Sequence, residues 1–253
     1  MPISYFVVGA SRGIGLELAL QIAKRPETSV VFAGVRNTSG AGSAELRSNP
    51  KIKIVKLDVT SEDESKAAVE TIRRENNGAL DVLVFNAGVA KIDPITQTSV
   101  DEIREFFELN TFSVHRMVLL ILPLLRAGHV KKMAIMGTVS GSFGVAQPMA
   151  KEIGVPIGVL GLSKAALHFL VMLYGIELAK EGIVAVSLHP GVVDTDGLRA
   201  FVKDAPAGSM DELLAKRKIS VKESVEGMLK VIDKMDIEMS GNLLAWNGDK
   251  LPF

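Results

Sequence analysis

Short runs of β-branched and aliphatic residues alternate along this chain with stretches whose apolar positions recur at helical spacing. Seven runs read as strands: Ile3–Val8, Val30–Gly34, Ile52–Leu57, Val82–Phe85, Lys132–Met136, Val184–Leu188 and Asn242–Trp246. Each is short and apolar, and enough chain separates successive runs for a crossover, as in a parallel sheet with helices on both faces. The first helix is expected to begin near Gly13, to turn Ile14, Leu16, Leu18, Ala19 and Ile22 toward the sheet, and to stop before Pro26. Ser61 with Glu64, and Ser99 with Glu102, have capping-box spacing and mark two further helix starts. No repeat, low-complexity tract or linker-like stretch divides the chain, so residues 1–253 are expected to form one domain.

Composition narrows the chemistry. The 253 residues are 47% hydrophobic, which is enough for a large core, and 29 basic side chains balance 29 acidic ones. Zero net charge provides no electrostatic footprint for nucleic acid or an anionic membrane, and neither partner is expected. Without cysteine there is no disulfide, thiolate nucleophile or thiolate-held metal. His115, His129, His168 and His189 lack the i,i+4 spacing of a helical zinc motif, so metal chemistry is not expected either. The longest apolar run, Met117–Leu125, contains Pro123 and falls far short of the ~20 residues that span a bilayer. No basic segment precedes the first strand as in a secretory signal, and a cytoplasmic location is expected.

Directly after the first strand stands Gly9-Ala10-Ser11-Arg12-Gly13-Ile14-Gly15. Glycines here permit a tight strand-to-helix turn and let the backbone approach a pyrophosphate, which then meets the N–H groups of the helix. A tight turn without ligand is the alternative. Dinucleotide sites that bind a ribose 2′-hydroxyl place a carboxylate at the end of the second strand, whereas this chain has Gly34-Val35-Arg36-Asn37. Arg36 with Arg12 would clamp a 2′-phosphate, favouring NADP(H) over NAD(H), unless both are ordinary solvated charges.

With Asp58 and Val59 after the third strand and Asn86-Ala87-Gly88 after the fourth, the chain resembles the short-chain dehydrogenase/reductase family over nearly its whole length. The resemblance implies a Rossmann-type, doubly wound α/β fold with a seven-stranded, mostly parallel sheet. It implies that Gly9, Ser11, Arg12, Gly13, Ile14 and Gly15 hold the cofactor, that Asp58 beside Val59 bonds the adenine, and that Asn86, Ala87 and Gly88 line the adenine-ribose side. Asn110 resembles the asparagine that supports a proton-relay water. Pro190-Gly191-Val192-Val193-Asp194-Thr195-Asp196 resembles the segment that holds the nicotinamide carboxamide, Thr195 being the hydroxyl contact. The ending Leu244–Phe253 resembles one subgroup of small cytosolic members.

Catalysis is where the chain departs from the family, in which a serine and a tyrosine four residues before a lysine polarise a carbonyl and move its proton. Thr138 stands at the serine position and keeps the hydroxyl donor. Lys164 matches the lysine that holds the nicotinamide ribose, but four residues before it stands Leu160. Tyr5 lies inside the first strand, and Tyr174 lies ten residues beyond Lys164, ~15 Å along a helix. An ordinary ketone reduction would therefore lack its general acid, typically worth 10²–10⁴-fold. Hydride transfer to an iminium or another activated electrophile needs no such acid, and leucine suits a bulky hydrophobic substrate. Some family members of fungal secondary metabolism are similar in lacking the usual tetrad. A non-redox isomerase or cyclase with structural NADP(H), an NADPH-sensing protein, and a ketoreductase into which Leu160 has been introduced remain as alternatives.

Ser142–Val159 is longer than the family's usual spacing. Its Lys151 and Glu152 are either a substitute acid or substrate clamp, or solvated loop charges. Residues 196–220 resemble the family's substrate lid, in which Leu198, Phe201 and Met210 wall the pocket or pack two small helices. Ser140 is a further candidate substrate contact, while His189 is read as a strand-end packing residue. The aliphatic stretch Val114–Leu125 and the helix near Lys164 resemble the paired helices of family dimers and tetramers, so a homodimer or homotetramer is expected, with buried monomer helices as the alternative.

Overall fold

The computed structural model describes residues 1–154, 158–203 and 210–253, with the side chains at 152, 153 and 213 also outside the described set. Five strands and their crossovers fill the first half: β1 (Ile3–Val8), α1 (Gly13–Lys24), β2 (Thr28–Val35), α2 (Ala41–Arg47), β3 (Ile52–Lys56), α3 (Glu62–Glu75), β4 (Val82–Phe85), α4 (Val100–Phe107), α5 (Ser113–Ala127) and β5 (Lys132–Met136). Then follow α6 (Phe143–Ile153), α7 (Gly158–Leu178), β6 (Val184–His189), β7 (Val192–Val193), α8 (Asp196–Lys203), α9 (Asp211–Arg217), β8 (Lys218–Ile219), α10 (Val221–Lys234), β9 (Leu243–Ala245) and β10 (Lys250–Leu251). The main sheet has the order β3-β2-β1-β4-β5-β6-β9-β10, all parallel except β10, which returns antiparallel to β9.

The strands lie where the apolar runs predict, but the main sheet has eight strands where the pattern predicts seven. The added β10 is two residues long, too short for any periodicity to betray it. Side chains alternate across the sheet. Phe6, Val8, Phe32, Leu83, Phe85 and Ile135 pack under α3, α5 and α7. Tyr5, Val7, Val31, Val84, Ala134 and Val186 pack under α1 and α10. Burial on both faces explains the continuous apolar character of the strands.

Ser61 and Ser99 cap α3 and α4 by accepting from the Glu64 and Glu102 backbone N–H groups. The reciprocal half of each capping box is absent, because the Glu64 carboxylate bonds the Asp58 N–H and Lys56, and that of Glu102 pairs with Lys91. The helical runs Val100–Ala127 and Gly158–Glu181 are long and apolar enough by composition to cross a membrane, and half of the most apolar window of each is buried within the fold. Their outward sides leave Leu119, Phe169 and Ile176 exposed, on the two helices the sequence singles out for association.

Two expectations need correction. The described part of Ser142–Val159 is not a loop: Ser142 accepts from the Val145 N–H and starts α6, which ends at Gly154 in a left-handed conformation (φ +63°). The span 196–220 is not all lid, because β8 pairs with β7, the Asp194 N–H donates to the Ile219 carbonyl, and Ser220 caps α10. A two-stranded clasp thus closes the base of the excursion that carries α8 and α9.

Candidate active site

The neighbour of β1 on one side is β2 and on the other β4, so the chain reverses its winding there and a crevice opens beyond the carboxyl ends of these strands. Gly9 leaves β1 at φ +83°, and a Cβ on it would lie 2.8 Å from the Ala87 nitrogen. A Cβ on Gly15 would lie 2.1 Å from the Gly9 carbonyl oxygen, so α1 rests directly on the turn that feeds it. The Asn86 side chain donates to that same carbonyl (3.0 Å) and locks the turn to the end of β4. Arg12, at the N-cap of α1, makes no side-chain cap, which leaves the helix's first N–H groups facing the crevice.

The resulting cleft of about 310 Å³ is lined by Gly9, Ser11, Arg12, Gly13, Ile14, Arg36, Asp58, Val59, Asn86, Ala87, Gly88 and Thr195. Gly15 does not line it and acts only through packing. Arg12 and Arg36 also border an open extension of the cleft near Asn37 and Ser43, and neither makes a side-chain hydrogen bond to a described residue. Two bonds from Thr60, through its hydroxyl and its N–H, hold the Asp58 carboxyl below the usual carboxylate range, with Arg36 adding to the effect.

A second cavity of about 290 Å³ shares Ile14, Thr195 and Gly197 with the cleft, so the two adjoin. Its walls are apolar: Ile92 after β4, Met149 of α6, Leu160 of α7, Leu198 and Phe201 of α8, and Met210 before α9, together with Pro190, Gly191 and Val193 after β6. Polar groups enter it from Thr138, Ser140, His189 and Thr195. The Thr138 hydroxyl accepts from the Ser140 N–H and lies 3.3 Å from the Ser140 hydroxyl. Thr195 accepts from the Leu198 N–H and thereby ties the cleft to the start of α8. The Glu152 side chain lies outside the described residues, while Lys151 is exposed on α6.

Asn110 and Lys164 line neither space; they lie behind Gly88, where a Cβ would meet Asn110 Oδ1 at 2.9 Å and Lys164 Nζ at 3.5 Å. Asn110 sits in a π-helical turn, Glu108–Phe112, between α4 and α5, the kind of bulge that often re-aims a functional side chain. Its amide exchanges bonds with the Val89 backbone and donates to the Ser163 hydroxyl, which donates in turn to the Leu160 carbonyl. Ser163 therefore couples the asparagine turn to α7, and only its place beside Lys164 in the sequence hinted at that.

α7 begins at Gly158, so Leu160 and Lys164 are one turn apart on a single helix. Lys164 donates to the Met136 carbonyl (2.8 Å), and burial pushes its ammonium down to about 8. One further turn on, His168 accepts from the Thr138 N–H. Burial, reinforced by Lys164, pushes that imidazole down to about 4. Among the described residues the two tyrosines lie elsewhere: Tyr5 is buried in β1, and the Tyr174 hydroxyl bonds His115 Nδ1. His189 is not only a packing residue, because it lines the cavity. No three His, Asp or Glu side chains among the described residues converge to hold a metal.

Lys164 makes a stability cost visible. A lysine lowered to about 8 in the folded chain but near its ordinary value when unfolded lets the unfolded state bind more protons between those values, so stability rises with pH across that window. Below it the cost is complete. Lys164→Met is expected to stabilise the cofactor-free protein at pH 7 by on the order of 2 kcal/mol and to flatten the rise between about pH 8 and 10, as read from urea midpoints.

A doubly wound sheet with a glycine turn at its switch point and a cleft adjoining an apolar cavity defines a dinucleotide-dependent oxidoreductase of the Rossmann type. The short chain dehydrogenase family model matches residues 4–206, and the chain belongs to that family. It is 31% identical over 257 residues to the short chain dehydrogenase gsfK of Penicillium aethiopicum, covering 99% of both chains. It is 30% identical over 254 residues to an oxidoreductase of Schizosaccharomyces pombe, covering 98% of this chain and 97% of that one. The structure of NADPH-bound carbonyl reductase from chicken fatty liver superposes with a TM-score of 0.87 at 27% identity, covering 100% and 95% of the two chains. Carbonyl reductase Sniffer of D. melanogaster shares the fold (TM-score 0.83, 24% identity, both chains fully covered).

Proposed function

We propose that this oxidoreductase uses NADP(H) to reduce an apolar, bulky substrate at a carbonyl or an already activated iminium carbon. The observation that supports the reading is the cleft's shared wall with an apolar cavity that Leu160 lines, the residue that the family resemblance aligns with the acid. The residues fit the cofactor: the glycine turn admits a pyrophosphate against open helix N–H groups, and Arg12 and Arg36 stand free to meet a 2′-phosphate. The NADPH-bound relative of similar shape supports the same choice.

When bound, the nicotinamide supplies the hydride. Asp58 and Val59 receive the adenine, Asn86, Ala87 and Gly88 the adjoining ribose, and Pro190, Gly191, Val193 and Thr195 the carboxamide end. Lys164 would hold the second ribose with an ammonium that otherwise lies buried behind Gly88 on the Met136 carbonyl, and Asn110 would organise water there. Thr138 donates a hydrogen bond into the cavity, Ser140 backs that hydroxyl, and Leu198 and Phe201 exclude water above the substrate. An iminium leaves as a neutral amine and needs no proton at the reacting atom, which agrees with a leucine at position 160.

Single-turnover mixing of the protein with NADPH and matched panels of cyclic iminium salts and aryl ketones tests this reading, followed at the nicotinamide absorbance band. Oxidation is expected with the iminium panel and slowly, if at all, with the ketones. Tight NADPH binding without consumption by any member would overturn the reductase reading in favour of a non-redox isomerase or cyclase.

A further inference from the structure

One polar side chain of the apolar cavity has no task in the scheme above. His189 ends β6 and shares the cavity with Thr138, Ser140 and Leu160. Its Nδ1 is buried and, among the described residues, neither it nor Nε2, which keeps access, has a hydrogen-bond partner. Burial pushes the imidazole down to about 4, so at neutral pH the ring carries a single proton. An orphaned buried N–H is rarer and costlier than an orphaned lone pair, which places that proton on Nε2 and leaves the lone pair on Nδ1.

We infer that His189 is a substrate-binding hydrogen-bond donor, its Nε2–H holding a carbonyl oxygen at the polar end of the cavity beside the Thr138 and Ser140 hydroxyls. This deepens the reductase reading as to substrate class and rests on it for the substrate's fate, but not for its binding. A carbonyl oxygen has lone pairs for an N–H donor, whereas an iminium nitrogen has none. His189 therefore favours a carbonyl over an iminium at the binding step, separately from the rate at which either is reduced.

The test compares 1-tetralone with tetralin, the same ring system without the oxygen, titrated calorimetrically into NADP+-saturated protein. The wild type is expected to prefer the ketone by about fivefold, the worth of one net hydrogen bond. His189→Phe and His189→Leu are expected to bring the ratio to about one while the NADPH dissociation constant stays within about twofold, and His189→Gln, which keeps a donor, is expected to retain the preference. If either apolar variant fails to bind NADPH as a folded protein does, the other serves.

A ratio that survives in the apolar variants overturns the inference, because the hydroxyls then suffice. So does a wild type that shows no preference or binds neither compound. NADPH affinity that falls in step with the ratio also overturns it, since the ring would then hold the cofactor. NADPH oxidation followed in parallel keeps the two readings separate: an oxygen-dependent preference with no consumption of cofactor by any ketone or iminium retains the assignment of His189 and removes the reductase.

Discussion

Leu160→Tyr is expected to raise NADPH-dependent ketone reduction by about 10²-fold or more, the usual worth of a positioned general acid. Position 160 lines the cavity one helical turn before Lys164, and the Thr138 hydroxyl enters the same space, so a phenol there would face the substrate with a cation behind it. The Lys164 ammonium would favour the phenolate and lower the tyrosine's pKa. Leu160 is buried, but its side chain borders about 290 Å³ of open cavity, which gives the larger ring room without displacing the core. Steady-state kcat/KM for an aryl ketone is the measurement. Iminium reduction should change little, because that chemistry does not wait for a proton. An unchanged ketone rate in a folded, NADPH-binding variant would mean that position 160 is not where the acid belongs.

Replacing both Arg12 and Arg36 by alanine is expected to weaken NADPH binding by about 10²-fold or more while leaving NADH binding within a few-fold. Each guanidinium offers charge-assisted bonds worth roughly 1.5–3 kcal/mol to a phosphate, and NADH has no 2′-phosphate to receive them. Arg36 follows the end of β2, where a carboxylate would otherwise accept from a ribose hydroxyl, and Arg12 sits in the glycine turn. Both border the open extension beside the cleft, without a competing hydrogen bond from a described residue. Fluorescence titration with the two nucleotides separates the outcomes. Equal losses for both would assign the arginines to the common pyrophosphate, and no loss would make them solvated surface charges.

Wherever strands are buried on both faces, the apolar runs locate them to within two residues, because local composition answers to burial. The turn Gly9–Gly15 was equally legible, since its conformation and its contact with α1 exclude side chains at the positions where glycine stands. Even here tertiary contact redistributed roles: Gly15 packs the helix and touches no cleft, while Glu64 and Glu102 leave their own caps for partners elsewhere. α6 was hidden because Gly144 and Pro148 lower its local propensity, and its stop depends on the left-handed Gly154. β10 was hidden because two residues carry no period.

By itself the sequence determined the layered α/β class, the glycine turn, the paired arginines and a leucine four residues before Lys164, because each of these is a local matter of residue type and spacing. The tertiary structure alone decided that Ile92, Met149 and Leu160 join Phe201 and Met210 around one cavity, that this cavity adjoins the cleft, and that His189 enters it without a bond to a described residue. Those residues come from the loop after β4, from α6, α7 and α8, from the start of α9 and from the end of β6, and no periodicity links them. Their meeting follows from which strands lie side by side, a choice made by burying the whole sheet at once.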